Sequence, residues 1–215
     1  MDKKSKRLIN NTIIFFIGSL GSKFIQFFLV PLYTYALTTE QYGVTEIVLT
    51  ASNVLMPVFS VSIADGLLRF GLDKNLKKED VLKNSMLIVL VGTILSIILA
   101  PLFQLYSGLN HWIICFLLIL NLRIYRDVFA INLKIHNKNM CFALDSIIYT
   151  FALCAFSVLF LTIFKMGIVG YFMSYIVANI ISIIYLNIVG TPIRDLLKGK
   201  INKVLLHDLI VYSIP

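Results

Sequence analysis

The sequence predicts an all-α integral membrane protein with six transmembrane helices, and three observations lead to this fold class. Of the 215 residues, 59% are hydrophobic and 14% are charged, a composition too apolar for an ordinary soluble domain. Six apolar stretches are each long enough to cross a hydrocarbon core, which needs about 20 residues. Basic residues cluster at every second break between these stretches. Because lipid offers the backbone no hydrogen-bond partners, stretches of this length are expected to be helical.

The expected spans are separated by short breaks that contain turn-forming or charged residues. They cover residues 8–37, 42–70, 81–106, 111–133, 142–164 and 167–190. Pro31 and Pro57 lie inside the first two spans, where each removes a backbone donor and is expected to kink its helix. Gly92, Ser96 and Ala100 recur at every fourth position of the third span. Small residues at this spacing predict a face on which another helix packs closely.

The distribution of basic residues predicts the orientation of the chain. Seventeen of the nineteen Lys and Arg residues lie before the first span and around the breaks that follow the second, fourth and sixth spans. Of the other two, Lys165 lies in an outer break and Lys23 inside the first span. Since basic residues stay on the cytoplasmic side, we expect a cytoplasmic amino terminus. Topology and attraction to anionic lipid explain the net charge of +8 better than nucleic-acid binding does.

The residues after the sixth span differ from the spans in character. Residues 191–206 place apolar positions at helical spacing among four basic residues. This pattern predicts an amphipathic linker helix on the cytoplasmic membrane surface. Residues 207–215 begin another apolar run, which we interpret as the start of a truncated seventh helix. The expected organisation is therefore a six-helix lobe (1–190), a linker helix (191–206) and the beginning of a seventh span (207–215).

Polar side chains within the spans are the candidate site residues, because an ionisable group in a membrane is costly unless it faces protein or water. The candidates are Lys23, Gln26, Asp65, Arg69, Arg123 and Arg126. Lys23 lies about 21 Å from the outer end of its span, too deep to reach either surface easily. Together the candidates predict a polar, net cationic cavity that opens toward the cytoplasm.

Less specific interpretations apply to several of these residues. Arg69 and Arg126 can alternatively extend to cytoplasmic headgroups. Asp65 and Arg69 are four residues apart and can form an internal ion pair that holds helices together. Glu46 and Asp145 are expected to be solvated close to the water interfaces.

Signatures of enzymes, metals and cofactors are missing from the sequence. It contains no Walker loop, no nucleophile elbow and no HExxH motif. Its three cysteines have no CxxC spacing, which argues against a metal site or a disulfide framework. We therefore expect neither enzyme activity nor a cofactor.

Two sequence blocks in the first two spans carry a recognisable pattern. The first comprises FFIGSLGSKF at residues 15–24, PLYT at 31–34 and LTTEQYG at 37–43. The second is SVSIADGLLRF at residues 60–70. These blocks resemble the Wzx-type polysaccharide flippases, a branch of the superfamily that also contains the MATE exporters and the lipid II flippase. The tyrosine–glycine turn and the arginine–phenylalanine close of the second span are the most specific marks.

The resemblance implies two six-helix lobes around a central cavity, of which this chain would supply the first. The implied substrate is an oligosaccharide on undecaprenyl pyrophosphate, moved across the bacterial cytoplasmic membrane by alternating access. Lys23 occupies a position where these families often place a cation, and Arg69 matches the arginine–phenylalanine motif. Cationic residues would offset the pyrophosphate charge. The implied partners are this lipid-linked oligosaccharide, membrane lipid, a coupling ion, and either a C-terminal lobe or a second copy of the chain.

Two other functions stay open on the sequence alone. A MATE-like drug or cation exporter would favour acidic cavity residues. A non-transporting half-lobe could instead act as a scaffold for enzymes of polysaccharide assembly.

Overall fold

A computed structural model describes residues 25, 27–105 and 107–214 of the chain. This part of the protein is almost entirely helical and contains no β-strand, which confirms the all-α expectation. The helices are α1 (Phe27–Ala36), α2 (Thr39–Ser60), α3 (Ile63–Gly71), α4 (Lys78–Ile98), α5 (Ala100–Gln104), α6 (Ser107–Asn110), α7 (Ile113–Ile135), α8 (Asn139–Val158), α9 (Gly167–Gly190), α10 (Pro192–Lys198) and α11 (Lys203–Ser213). A π-helical segment, Leu159–Ile163, extends α8.

Four of the described helices are long and apolar enough to cross a membrane. They are Thr39–Ser60, Lys78–Ile98, Asn139–Ile163 and Gly167–Gly190. The 23-residue helix α7 has the required length, but it carries Arg123, Arg126 and Asp127 near its middle. The four apolar helices are compatible with a multi-pass membrane protein. The full count of six spans stays a prediction.

The second expected span, residues 42–70, is two helices rather than one. Val61 and Ser62 separate α2 from α3, and their φ angles of 52° and 49° lie in the left-handed region. Pro57 lies one turn earlier and cannot donate a helical hydrogen bond. Its carbonyl accepts the N–H of Ser62 at 3.0 Å. The expected proline kink thus takes the form of a complete break a few residues further along.

The amphipathic helix expected over residues 191–206 is also divided, into α10 and α11. Residues 199–202 between them are not helical because α4 holds their backbone. The Asn84 side chain donates to the Lys200 carbonyl at 3.0 Å and accepts the Asn202 N–H at 3.1 Å. Asp80 accepts the Lys200 N–H at 2.6 Å. The last helix therefore begins at Lys203, before the expected boundary at 207.

Helix α7 lies at the centre of the bundle and packs against α2, α3, α4, α8 and α9. Several of the largest fully buried side chains belong to it, including Phe116, Ile119, Leu120, Ile124 and Leu133. α2 also packs against α4, and the two come close at Gly92, where an added Cβ would clash with the carbonyl oxygen of Phe59. Close packing is thus confirmed at Gly92, whereas Ala100 lies beyond the end of α4, in α5.

Two lysines near helix starts satisfy carbonyl groups at the ends of neighbouring helices. Lys78 donates to the carbonyl of Ile135 at the end of α7, and Lys138 donates to the carbonyl of Val189 near the end of α9, both at 2.8 Å. Cations at helix C-termini also interact favourably with the helix dipole. These lysines therefore stabilise the bundle, whatever they contribute to its orientation.

Candidate functional site

The exposed surfaces of most long helices are apolar, as contact with lipid requires. On α4 and α9 they are formed by Val91, Ile94, Ile98, Ile180, Ile184 and Ile188. Helices α2 and α3 differ from these helices, because each of them carries exposed polar residues along its length. We call these residues the polar stripe, which comprises Glu46, Thr50, Asn53, Asp65 and Arg69.

The polar stripe begins inside α2, one of the helices long and apolar enough to cross a membrane. On α2, the spacing of four and then three residues places Glu46, Thr50 and Asn53 on one helix face. Glu46 lies about 10 Å along the axis from the start of α2, at 1.5 Å per residue. An exposed carboxylate on a membrane-spanning helix faces water or protein rather than lipid tails. The stripe therefore marks the surface of an aqueous cavity or of a protein contact.

On α3, the stripe borders an open groove of about 540 Å³ between α3 and α11. Ser62, Asp65, Arg69 and Tyr212 contribute its polar lining. Among the described residues, the ion pairs closer than 4.0 Å do not include the expected Asp65–Arg69 pair. Both side chains are exposed, and water competes for them in that position. Arg69 therefore presents its guanidinium to the groove without a close ion pair, although Asp65 lines the same groove.

Arg126 is part of a buried polar cluster that joins α7, α8 and α9. Its Nη2 donates to Asp145 Oδ2 at 2.8 Å, and its Nε donates to Ser182 Oγ at 2.6 Å. Ser182 in turn donates to Asp145 Oδ1. The guanidinium carbon lies 3.9 Å from the ring centroid of Tyr149, within the range of a cation–π interaction. The charge of Arg126 is thus compensated inside the protein and is not directed at a cavity.

Asp145 is the main site residue that the sequence reasoning misplaced. It was expected in water near an interface, but its side chain is only 3% exposed. Arg126 lies ten residues before the turn at residues 136–138, and Asp145 lies seven residues after it. Opposite charges on an antiparallel helix pair were the available signal, but their spacing alone does not identify this ion pair.

The remaining candidates do not form one cationic site in the described part of the chain. Lys23 and Gln26 lie outside the described residues. Arg123 is partly buried on α7, one turn from Asp127, and the Asp127 carboxylate is within electrostatic reach of Asp65. Arg126, Lys134 and Arg123 are within electrostatic reach of the same carboxylate, so Asp127 has cationic neighbours. The polar stripe holds two acids, Glu46 and Asp65, and one arginine, Arg69. The stripe therefore lacks the cationic excess that the sequence predicts.

Among the described residues, no group of three or more His, Cys, Asp or Glu side chains could hold a metal ion. The three cysteines are free thiols. No protein-family model, curated protein or solved structure matches the chain. The resemblance to polysaccharide flippases accordingly rests on the sequence blocks that carry it.

Proposed function

We propose that this protein forms one helical lobe of a membrane transporter that flips a lipid-linked oligosaccharide across the bacterial cytoplasmic membrane. The polar stripe is the observation that carries the proposal. A bundle that is otherwise apolar on its outside, but exposes polar groups along α2 and α3, needs an aqueous path or a protein partner beside those helices. A transporter of a lipid-linked cargo needs such a polar path for the head of the cargo, next to an apolar surface for its lipid tail.

The chemistry of the groove supports an anionic portion of the cargo near α3. Arg69 is exposed there without an internal ion pair, and a guanidinium can bind a phosphate through two parallel hydrogen bonds. The serine and tyrosine hydroxyl groups of the groove can donate to phosphate or sugar oxygens. The substrate class itself, an undecaprenyl-pyrophosphate oligosaccharide, comes from the resemblance.

The break between α2 and α3 supplies a position at which the lobe could bend. Hinges are short segments at the ends of elements that absorb changes in φ and ψ. Val61 and Ser62 interrupt the second span between the outer part of the polar stripe and the groove. Alternating access further requires two bundles that move around a shared site. The second bundle would be a C-terminal lobe or another copy of this chain, facing the polar stripe.

Export of an organic cation is the second candidate, and the balance of charge favours it. Within the polar stripe, the two acids Glu46 and Asp65 outnumber the one arginine, Arg69. A cavity with this excess of acids attracts cations rather than pyrophosphate.

The test of the flippase proposal is export of surface polysaccharide in flippase-deficient cells that express the protein from its natural gene. Arg69→Ala should reduce export by roughly tenfold or more, as loss of a charge-assisted phosphate contact predicts. Arg69→Lys should retain part of the activity, and Arg194→Ala, an exposed arginine on α10, is the matched control. Membrane abundance of each variant is measured in parallel. Normal export by a well-expressed Arg69→Ala variant would contradict the proposed role.

A further inference from the structure

A short strap, residues 199–202, joins α10 to α11 and crosses the first turns of α4. Besides the aspartate and asparagine of α4 that hold its backbone, Lys83 donates to the Gly199 carbonyl at 2.9 Å. Gly199 also lies against the backbone of α4, where an added Cβ would clash with the carbonyl oxygen of Glu79. Because these contacts reach backbone groups of the strap, they fix its path over α4.

The α4 side chains that hold the strap form a matched set. Asp80, Lys83 and Asn84 are three and four residues apart, which places them on one face of α4. Asn84 is fully buried, and its amide nitrogen donates to the carbonyls of Asp80 and Lys200 at 2.7 and 3.0 Å. Its amide oxygen accepts the Asn202 N–H at 3.1 Å. Asn84 therefore both donates to the strap and accepts from it.

Hydrogen bonds hold the strap more than apolar burial does. Lys200, Ile201 and Asn202 are exposed, and the aliphatic side chain among them is 59% exposed. Water can replace hydrogen bonds of this kind, so each of them contributes little net stability. Segments with few buried apolar contacts open locally more often than the core does. The strap can therefore leave α4 while the bundle stays folded.

The strap also sets the position of α11, which begins at the next residue. Asn202 caps this helix by accepting the N–H groups of Val204 and Leu205, at 2.9 and 3.5 Å. The buried residues Leu205, Leu209 and Ser213 are four apart and share one helix face. α11 packs against α3 and α4. It is thus held at its start by the strap and along its length by α3 and α4.

α11 forms one wall of the groove that Arg69 lines on α3. Tyr212 and Ser213 line the groove from the α11 side, and the ring centroids of Tyr212 and Phe70 lie 5.7 Å apart. The two helices come close at Gly66, where an added Cβ would clash with the hydroxyl of Ser213. A movement of α11 away from α3 would therefore widen the groove.

We infer that the strap is a releasable clamp, which holds α11 against α3 when bound to α4 and opens the groove at Arg69 when released. Whatever favours the released strap then favours the open groove by the same free energy. The inference rests on the proposed function for the role of the groove as a cargo site, and it adds the element that controls access to that site. The clamp itself can be tested without cargo.

The first measurement is hydrogen–deuterium exchange of the purified full-length protein in lipid nanodiscs. The N–H groups of Lys200 and Asn202 donate to α4, so the peptide that contains them should exchange slowly. Asn84→Ala removes one donor and one acceptor, and it should speed this exchange by roughly tenfold or more. Asn84→Asp keeps the acceptor for the Asn202 N–H and should have a smaller effect.

The second measurement is the distance between α3 and α11, from spin labels on Leu72→Cys and Val211→Cys in a background without the native cysteines. Both positions are exposed, one directly after α3 and the other on α11. The unaltered protein should give one narrow distribution, and Asn84→Ala should add a longer, broader population. Gly199→Ala should do the same from the strap side, through its clash with Glu79. This second variant keeps the test decisive if Asn84→Ala fails to fold.

Asn139→Ala is the matched control, because Asn139 is an exposed asparagine at the start of another helix, α8. It should change neither measurement. Unchanged exchange in folded Asn84→Ala and Gly199→Ala variants would overturn the clamp, and so would faster exchange without a longer distance between α3 and α11. Arg69→Ala, which tests the cargo, should leave exchange and distance unchanged, so failure of the proposed function is distinguishable from failure of the clamp.

Discussion

Deletion of the Asp145 carboxylate tests whether the cluster around Arg126 is a structural ion pair. Asp145→Ala would leave the Arg126 guanidinium in place, only 20% exposed, without its counter-charge. It would also remove the acceptor to which Ser182 donates. Breaking a buried pair by removing one partner destabilises a protein by about 3–5 kcal/mol. For a chain of this size, about 1 kcal/mol corresponds to 2–4 °C in Tm, so a decrease of roughly 6–20 °C is expected.

Thermal unfolding of the purified protein in detergent, followed by tryptophan fluorescence and size-exclusion chromatography, measures this effect. The double variant Arg126→Met/Asp145→Leu should recover much of the lost stability, since an apolar pair of similar volume avoids the desolvation of both charges. Asp208→Ala is the matched control, because the Asp208 carboxylate is 51% exposed and pairs only with an exposed histidine. Surface pairs of this kind contribute about 0–1 kcal/mol. A single Asp145→Ala variant within 2 °C of the unaltered protein, or a double variant no more stable than the single one, would refute the argument.

Two further predictions concern helix packing and orientation. Gly92→Leu should reduce the free energy of unfolding by more than about 3 kcal/mol, because the new side chain would separate α4 from α2 where their backbones touch. Gly43→Leu should be nearly neutral, because a Cβ at Gly43 meets nothing within 4 Å. Thermal unfolding of the two variants provides the comparison. In a background without the native cysteines, a membrane-impermeant thiol reagent applied to intact cells should label Asn110→Cys but not Lys77→Cys, as expected if basic breaks are cytoplasmic. Labelling of the variant at 77 alone would reverse the orientation.

The apolar stretches of the sequence predicted where helices occur. The predicted helix limits were most accurate where a backbone turn interrupts the apolar stretch. The sixth expected span and α9 share the same limits, residues 167 and 190. Gly167 and Thr191 have φ angles of 56° and 51° at its two ends, and left-handed residues end helices readily. The break at Val61 and Ser62 lies within an apolar run, and hydropathy does not report backbone conformation. Its main sequence signal was Pro57, which indicates a disturbed helix but not the position of the break.

The site was predictable only in part, because depth within a span does not determine what a charge faces. Arg69 and Arg126 were selected for the same reason, their position in apolar helices. One lies in an open groove and the other in a closed cluster. The difference arises from partners on other helices, which spacing within one helix cannot identify.

The division between compensated and uncompensated charges has a consequence for how the bundle can exist in a membrane. Arg126 and Asp145 neutralise one another within the helices, so this pair requires nothing from the surroundings. Glu46 and Arg69 are exposed on the polar stripe, and neither forms an ion pair within the described part of the chain. Lipid on that face would leave both charges poorly solvated, whereas water or a second bundle would not. The stripe therefore favours an aqueous or protein neighbour along α2 and α3.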